Sequence, residues 1–193
     1  MVYVIVRFLT NIYLSLFHRI IYIGRENIPV TGPLLIYSNH PSAFDMFLLG
    51  SRIKRRIHFM AKAELFENPF LSWFFTEMGA FPVHRGKGDT GSVKTALRIL
   101  EEGGTVGIFP EGTRTQKKNT DKKKGGAALI AYHSDAPILP VAIEGRYRIF
   151  KKIRIIYGEP FHFDKNDGER PDREDLYEAT RKIMNRIYAL MGQ

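Results

Sequence analysis

The chain has 193 residues, 44% of them hydrophobic and 25% charged, a balance that excludes collagen, coiled coil and wholesale disorder. That length favours one domain and suffices to bury a core without cross-links, and the absence of cysteine removes disulfide scaffolds, thiolate metal sites and cysteine nucleophiles. With 29 Lys+Arg against 20 Asp+Glu, the net charge of +9 calls for an anionic partner: nucleic acid, acidic lipid or a phosphorylated small molecule.

Residues 1–23 are apolar apart from Arg7, Thr10, Asn11, Ser15, His18 and Arg19. Positions 7, 11, 15 and 18 follow helical spacing, so a helix here carries a narrow polar stripe and a wide apolar face. Such a helix suits a membrane interface. A secretory signal lacks its basic start and small-residue cleavage site. A spanning anchor requires Arg7 to snorkel, and a helix packed on the domain's own core is the remaining alternative. The reading adopted is an amphipathic membrane-association helix over 1–23, followed by one domain over 24–193.

Gly24, Pro29, Gly32 and Pro33 mark a loop. Strands are expected over 34–38, 57–61, 80–84, 105–109, 138–143 and 153–157. Helices are expected from Pro41 to about Gly50, after the Asn68-Pro69 start signal, over 89–102, over 126–134 and from about Pro171 onward. In that last helix Leu176, Ile183, Ile187 and Leu190 share one face. Strands alternating with helices predict an α/β fold, a mostly parallel central sheet flanked by helices.

Three polar junctions sit where strands end, the place where open α/β sheets gather their reactive groups. The first is NHPSAFD over 39–45. Five residues is poor contact spacing inside a helix. With His40 outside helical geometry, however, Asp45 could meet its ring, fix its tautomer and make the other nitrogen a better base. Ser38 and Ser42 flank His40, yet no G-x-S-x-G elbow is present. The second junction is GAFPVHR over 79–85. The third, FPEGTRT over 109–115, brings together a carboxylate, hydroxyls, a flexible Gly and a guanidinium suited to phosphate. The six histidines form no metal-ligand motif, and no Walker A or dinucleotide loop appears.

Taken in order, NHPSAFD, GAFPVHR, FPEGTRT and ILPVAI over 138–143 resemble the glycerolipid acyltransferase family, specifically the 1-acylglycerol-3-phosphate (lysophosphatidic acid) acyltransferases. The lead-in GRENIP is also similar, and Leu139 stands where Val is commoner. The resemblance implies transfer of a fatty acyl chain from acyl-CoA or acyl carrier protein to lysophosphatidate, giving phosphatidate. It implies His40 as base and Asp45 as its orienting partner. Arg85 and Arg114 would hold the acceptor phosphate, Glu111 the glycerol portion, and Gly112 with Thr113 would permit close backbone approach. Lys124, in the lysine-rich run over 117–124, would meet the donor's phosphates.

Neither metal nor prosthetic group is implied. Anionic membrane lipid is an expected partner, at the cytoplasmic face of a membrane, in a peripheral or monotopic arrangement. Two other readings stand beside this one. One keeps the chemistry but changes the acceptor to glycerol 3-phosphate, another lysophospholipid or a lyso-aminolipid. The other is a non-catalytic basic membrane-binding protein. Nucleic acid is not expected, because aromatic–basic interleaving and the usual recognition motifs are missing.

Overall fold

The computed structural model describes residues 1–84, 89–112, 114, 126–145, 147–163 and 171–192. Its helices are α1 (Val2–Phe17), α2 (Asp45–Arg52), α3 (Pro69–Glu77), α4 (Thr90–Glu101), α5 (Gly126–His133) and α6 (Arg173–Ala189). Its strands are β1 (Arg19–Ile23), β2 (Leu34–Ser38), β3 (Ile57–Lys62), β4 (Phe81–Val83), β5 (Thr105–Ile108), β6 (Ile138–Gly145) and β7 (Lys152–Tyr157). The strands form one sheet in the order β1-β7-β6-β2-β5-β3-β4. Every neighbouring pair is parallel except β6 and β7. This is the α/β fold that the alternation of elements predicts.

The central strands β2 and β5 are buried along their whole length and are mostly apolar, because both faces are covered. Leu35 and Tyr37 of β2 point into a cluster with Ala96 and Leu100 of α4, Ile130 of α5 and Ile183 of α6. Leu34 and Ile36 point the other way, against Leu14 of α1 and Leu48 and Leu49 of α2. Helix starts follow local chemistry. The Asn68 side chain accepts from the Phe70 and Leu71 amides with Pro69 at the first position, Asp89 caps α4, and Asp172 with Asp175 forms a reciprocal box at α6.

The opening segment corrects the expectation of one helix over 1–23. The helix stops at Phe17, His18 is extended, and Arg19–Ile23 is an edge strand paired with β7. The β-branched and aromatic run Ile20-Ile21-Tyr22-Ile23 favours a strand and finds a partner edge, which overrides the helical spacing that His18 continues. The polar stripe of α1 also turns inward. The Arg7 Nε donates to the Ser51 carbonyl at 3.3 Å, Asn11 Nδ2 to the same oxygen at 3.1 Å, and Arg52 donates to Ser15 Oγ at 3.1 Å. Ser51 lies in the last turn of α2, where carbonyls lack intrahelical partners, and α1 supplies them. Ile5, Phe8, Leu9, Ile12 and Leu16 consequently stand exposed on the outer face, the reverse of an ordinary surface helix.

Candidate active site

From β2 the chain passes through α2 to β3, on the far side of β5. From β5 it returns through α5 to β6, on the far side of β2. Two adjacent parallel strands whose connections leave in opposite directions make a crevice at their carboxyl ends, the point where ligands bind in open α/β sheets. The segment after β2 carries His40 and the segment after β5 carries Glu111, so the first and third polar junctions meet here.

The strand end is held by Asn39. Its Nδ2 donates to the Ile143 carbonyl at 2.9 Å, and its Oδ1 accepts from the Ile143 amide at 2.7 Å, continuing the β2–β6 pairing through a side chain. Residues 41–44 then form a turn rather than the first turn of a helix, so α2 begins at Asp45 and not at Pro41. That turn brings the carboxylate back over the ring: His40 Nδ1 lies 2.8 Å from Asp45 Oδ2. An ionised carboxylate can only accept, so Nδ1 carries a proton, and in the neutral ring Nε2 is the nitrogen with the lone pair. Asp45 is fully buried, and further donors satisfy it. The Ser42 amide donates to Oδ2 at 2.9 Å and the Tyr147 hydroxyl to Oδ1 at 2.5 Å. Burial, reinforced by the Asp45 carboxylate, pushes the Tyr147 phenol far above its ordinary range, so it stays protonated and donating.

The His40 ring stacks on Phe109, with centroids 4.0 Å apart and planes 15° from parallel. Phe109 stacks in turn on Phe59 at 5.7 Å. The ring is thus clamped between a carboxylate and an aromatic face, and its side chain keeps 11% of its surface open. Phe59 also lines a small, partly open pocket between α1, α2 and α3, with Tyr3, Val6, Met46, Phe47 and Phe75 on its walls. Ser38 Oγ donates to the Asn39 carbonyl and Ser42 Oγ accepts from the Phe44 amide, so neither hydroxyl is engaged with the imidazole.

Glu111 lies directly behind His40. It is buried, its Oε2 accepts from the His40 amide at 2.9 Å, and its Oε1 accepts from the Tyr188 hydroxyl at 2.7 Å. Both oxygens are turned into the protein, so the carboxylate supports the backbone that carries His40. Gly112 has φ 62°, and its amide donates to the Phe109 carbonyl at 2.9 Å. The left-handed turn is what calls for glycine here. Arg114 is exposed. Arg85, Thr113 and Lys124 lie outside the described residues. Among the described residues no three acidic or histidine side chains converge as metal ligands. Asn39, Phe109, Tyr147 and Tyr188 were not singled out from the sequence. Asn39 and Phe109 do fall within the polar junctions, whereas the two tyrosines come from distant segments with no local signal.

Comparison with known proteins decides the family. The family model described as Acyltransferase matches residues 19–144. A 1-acyl-sn-glycerol-3-phosphate acyltransferase of Bacillus subtilis (strain 168) is 37% identical over 86% of this chain and 85% of its own length. The chain belongs to the acyltransferase family.

Other acyltransferases share less of their length with it. A 1-acyl-sn-glycerol-3-phosphate acyltransferase of Borreliella burgdorferi is 31% identical over 69% of this chain, which spans 54% of that relative. A chloroplastic one of Arabidopsis thaliana is 28% identical over 78% of this chain and 46% of its own length. The crystal structure of the 1-acyl-sn-glycerophosphate (LPA) acyltransferase PlsC from Thermotoga maritima superposes with a TM-score of 0.71 at 23% identity, covering 97% of this chain and 79% of that one. That likeness concerns the fold. Within the acyltransferase fold, the match over 19–144 takes in β1 and the His40, Asp45 and Glu111 positions, and leaves α1 outside.

Proposed function

We propose that this acyltransferase moves an acyl chain from a thioester to the free hydroxyl of 1-acylglycerol 3-phosphate, with His40 as general base. The observation that carries the reading is the 2.8 Å contact between His40 Nδ1 and the buried Asp45 carboxylate at the sheet's switch point. An alcohol is a weak nucleophile at neutral pH, so a positioned base must take its proton as it attacks. The acceptor hydroxyl donates to Nε2, and its oxygen adds to the thioester carbonyl while the proton passes to the ring. Asp45 holds the imidazolium in place. The tetrahedral intermediate then collapses, the C–S bond breaks, and the imidazolium returns the proton to the leaving thiolate. No acyl-enzyme is needed. The names of the Bacillus subtilis and Borreliella burgdorferi relatives support lysophosphatidate as acceptor.

Coenzyme A or an acyl carrier protein supplies the acyl group in this reading. The mostly apolar lining of the pocket at Phe59 favours the acyl end of a substrate nearby, and Arg114 with Arg85 receives the acceptor's phosphate. No helix among the described residues is long and apolar enough to cross a membrane. The outward apolar face of α1 supports seating in one leaflet of a membrane carrying anionic lipid, at its cytoplasmic face, where a water-soluble thioester meets a lipid acceptor. The membrane-association segment is then Val2–Phe17, with β1 belonging to the sheet.

The test is thiol release by purified protein across a panel of acceptors with both donor types. Release stimulated by lysophosphatidate supports the reading. Release only with glycerol 3-phosphate, another lysophospholipid or a lyso-aminolipid keeps the chemistry and overturns the substrate.

A further inference from the structure

Between β6 and β7 the chain reads Arg146-Tyr147-Arg148-Ile149-Phe150-Lys151, and no acidic residue occurs over 145–158. Ile149 and Phe150 form the tip of a tight turn closed by the Lys151 amide on the Arg148 carbonyl at 3.0 Å. Their side chains are 58% and 77% exposed. Phe150 has φ 61°, the one non-glycine residue in the left-handed region among those described. A solvent-facing turn with that backbone selects Gly or Asn, because a larger side chain is strained there. This chain instead holds a phenyl ring out of the protein in an unfavourable conformation.

The tip is also tied to α1. The Phe150 amide donates to the Phe17 carbonyl at 2.7 Å, and the Arg19 amide to the Lys151 carbonyl at 3.4 Å. The apolar tip therefore sits at the carboxyl end of α1, where Leu16 and Phe17 are also exposed. Arg19, Arg148, Lys151 and Lys152 are exposed around it. Apolar side chains at the apex with cations at the shoulders match a bilayer, with hydrocarbon below and anionic headgroups at the rim.

We infer that Ile149 and Phe150 insert into an anionic lipid surface as a second anchor beside α1. This rests on the reading of α1 as seated in a membrane. Two residues earlier Tyr147 donates to Asp45, so the same short segment joins the lipid contact to the His40 pair. Insertion of the tip would hold the crevice at the level where a lysolipid exposes its hydroxyl.

The protein contains one tryptophan, Trp73, which makes the test direct. The full chain is prepared as Trp73→Phe/Phe150→Trp and separately as Trp73→Phe/Phe8→Trp, the second reporting on α1. Each is mixed with vesicles of phosphatidylcholine and phosphatidylglycerol, with and without brominated acyl chains. The inference expects the emission of the tip tryptophan to shift to the blue and to be quenched by bromine. It also expects Ile149→Ser/Phe150→Ser to weaken partitioning by on the order of a hundredfold, the effect of withholding two apolar side chains from hydrocarbon. Quenching at position 8 without quenching at position 150 overturns the inference and leaves the α1 reading standing. Quenching at neither position overturns both. A concentration-dependent blue shift without vesicles assigns the tip to a second copy of the chain and also overturns it. Where Phe150→Trp does not fold, Ile149→Trp carries the same reporter.

Discussion

Tyr147 donates its hydroxyl to the Asp45 oxygen that faces away from His40, and replacing it by Phe removes one oxygen atom while keeping the ring. Hydrogen bonds to charged groups contribute about 1.5–3 kcal/mol. Because the Ser42 amide and the imidazole itself still hold the other carboxylate oxygen, the lower end of that range applies. About 1.4 kcal/mol corresponds to a tenfold change in rate, so kcat of Tyr147→Phe should fall by roughly tenfold to thirtyfold. The phenol touches Asp45 and not the substrate in this account, so KM for the acceptor should stay the same. Continuous thiol detection with lysophosphatidate as acceptor measures both constants, and circular dichroism checks the fold. A kcat within about twofold of the parent, in a folded variant, refutes the claim that this hydroxyl orients the pair. A raised KM with an unchanged kcat refutes it too, since that would put Tyr147 against the substrate.

Glu111→Ala strips a partner from the His40 amide and from Tyr188, leaving a buried donor unmet at a cost of about 1–3 kcal/mol. Its kcat should drop with KM for the acceptor unchanged, whereas a glycerol contact would raise KM. Gly107→Ala places a methyl into the Phe59 ring beneath the Phe59–Phe109–His40 stack. Overpacking of this kind costs roughly 1–3 kcal/mol, so the melting temperature and activity should fall together, as calorimetry and the thiol assay would show. Burial, assisted by Arg56, holds the His58 imidazole below its ordinary range. The unfolded chain therefore binds the proton more readily, and stability is lost as pH falls through the ordinary histidine value of about 6.5. Denaturant midpoints should decline less on acidification in His58→Gln than in the parent, and equal declines would contradict the assignment.

Much of this arrangement could be read from local spacing. The mostly apolar runs 34–38, 105–109 and 138–143 became central strands because strands covered on both faces read as near-continuous apolar runs. The approach of His40 to Asp45 followed from placing the histidine outside the helix. What stayed hidden depends on long-range pairing. The segment 19–23 follows a helical polar stripe until β7 offers it an edge. The inward turn of Glu111 depends on Tyr188, which α6 delivers from 77 residues away, and Tyr147 reaches Asp45 across 102 residues. No local pattern encodes such contacts, since a tyrosine on a core-facing helix looks like any other buried aromatic until its hydroxyl finds a partner.

The central claim is that His40 removes the acceptor's proton. Its most direct measurement is the turnover of His40→Ala on lysophosphatidate, alongside its binding to the same vesicles. General-base catalysis contributes about 10²–10⁴-fold, so acyl transfer should fall by that factor while vesicle binding is retained. Transfer at the parental rate by a folded His40→Ala protein would contradict the account.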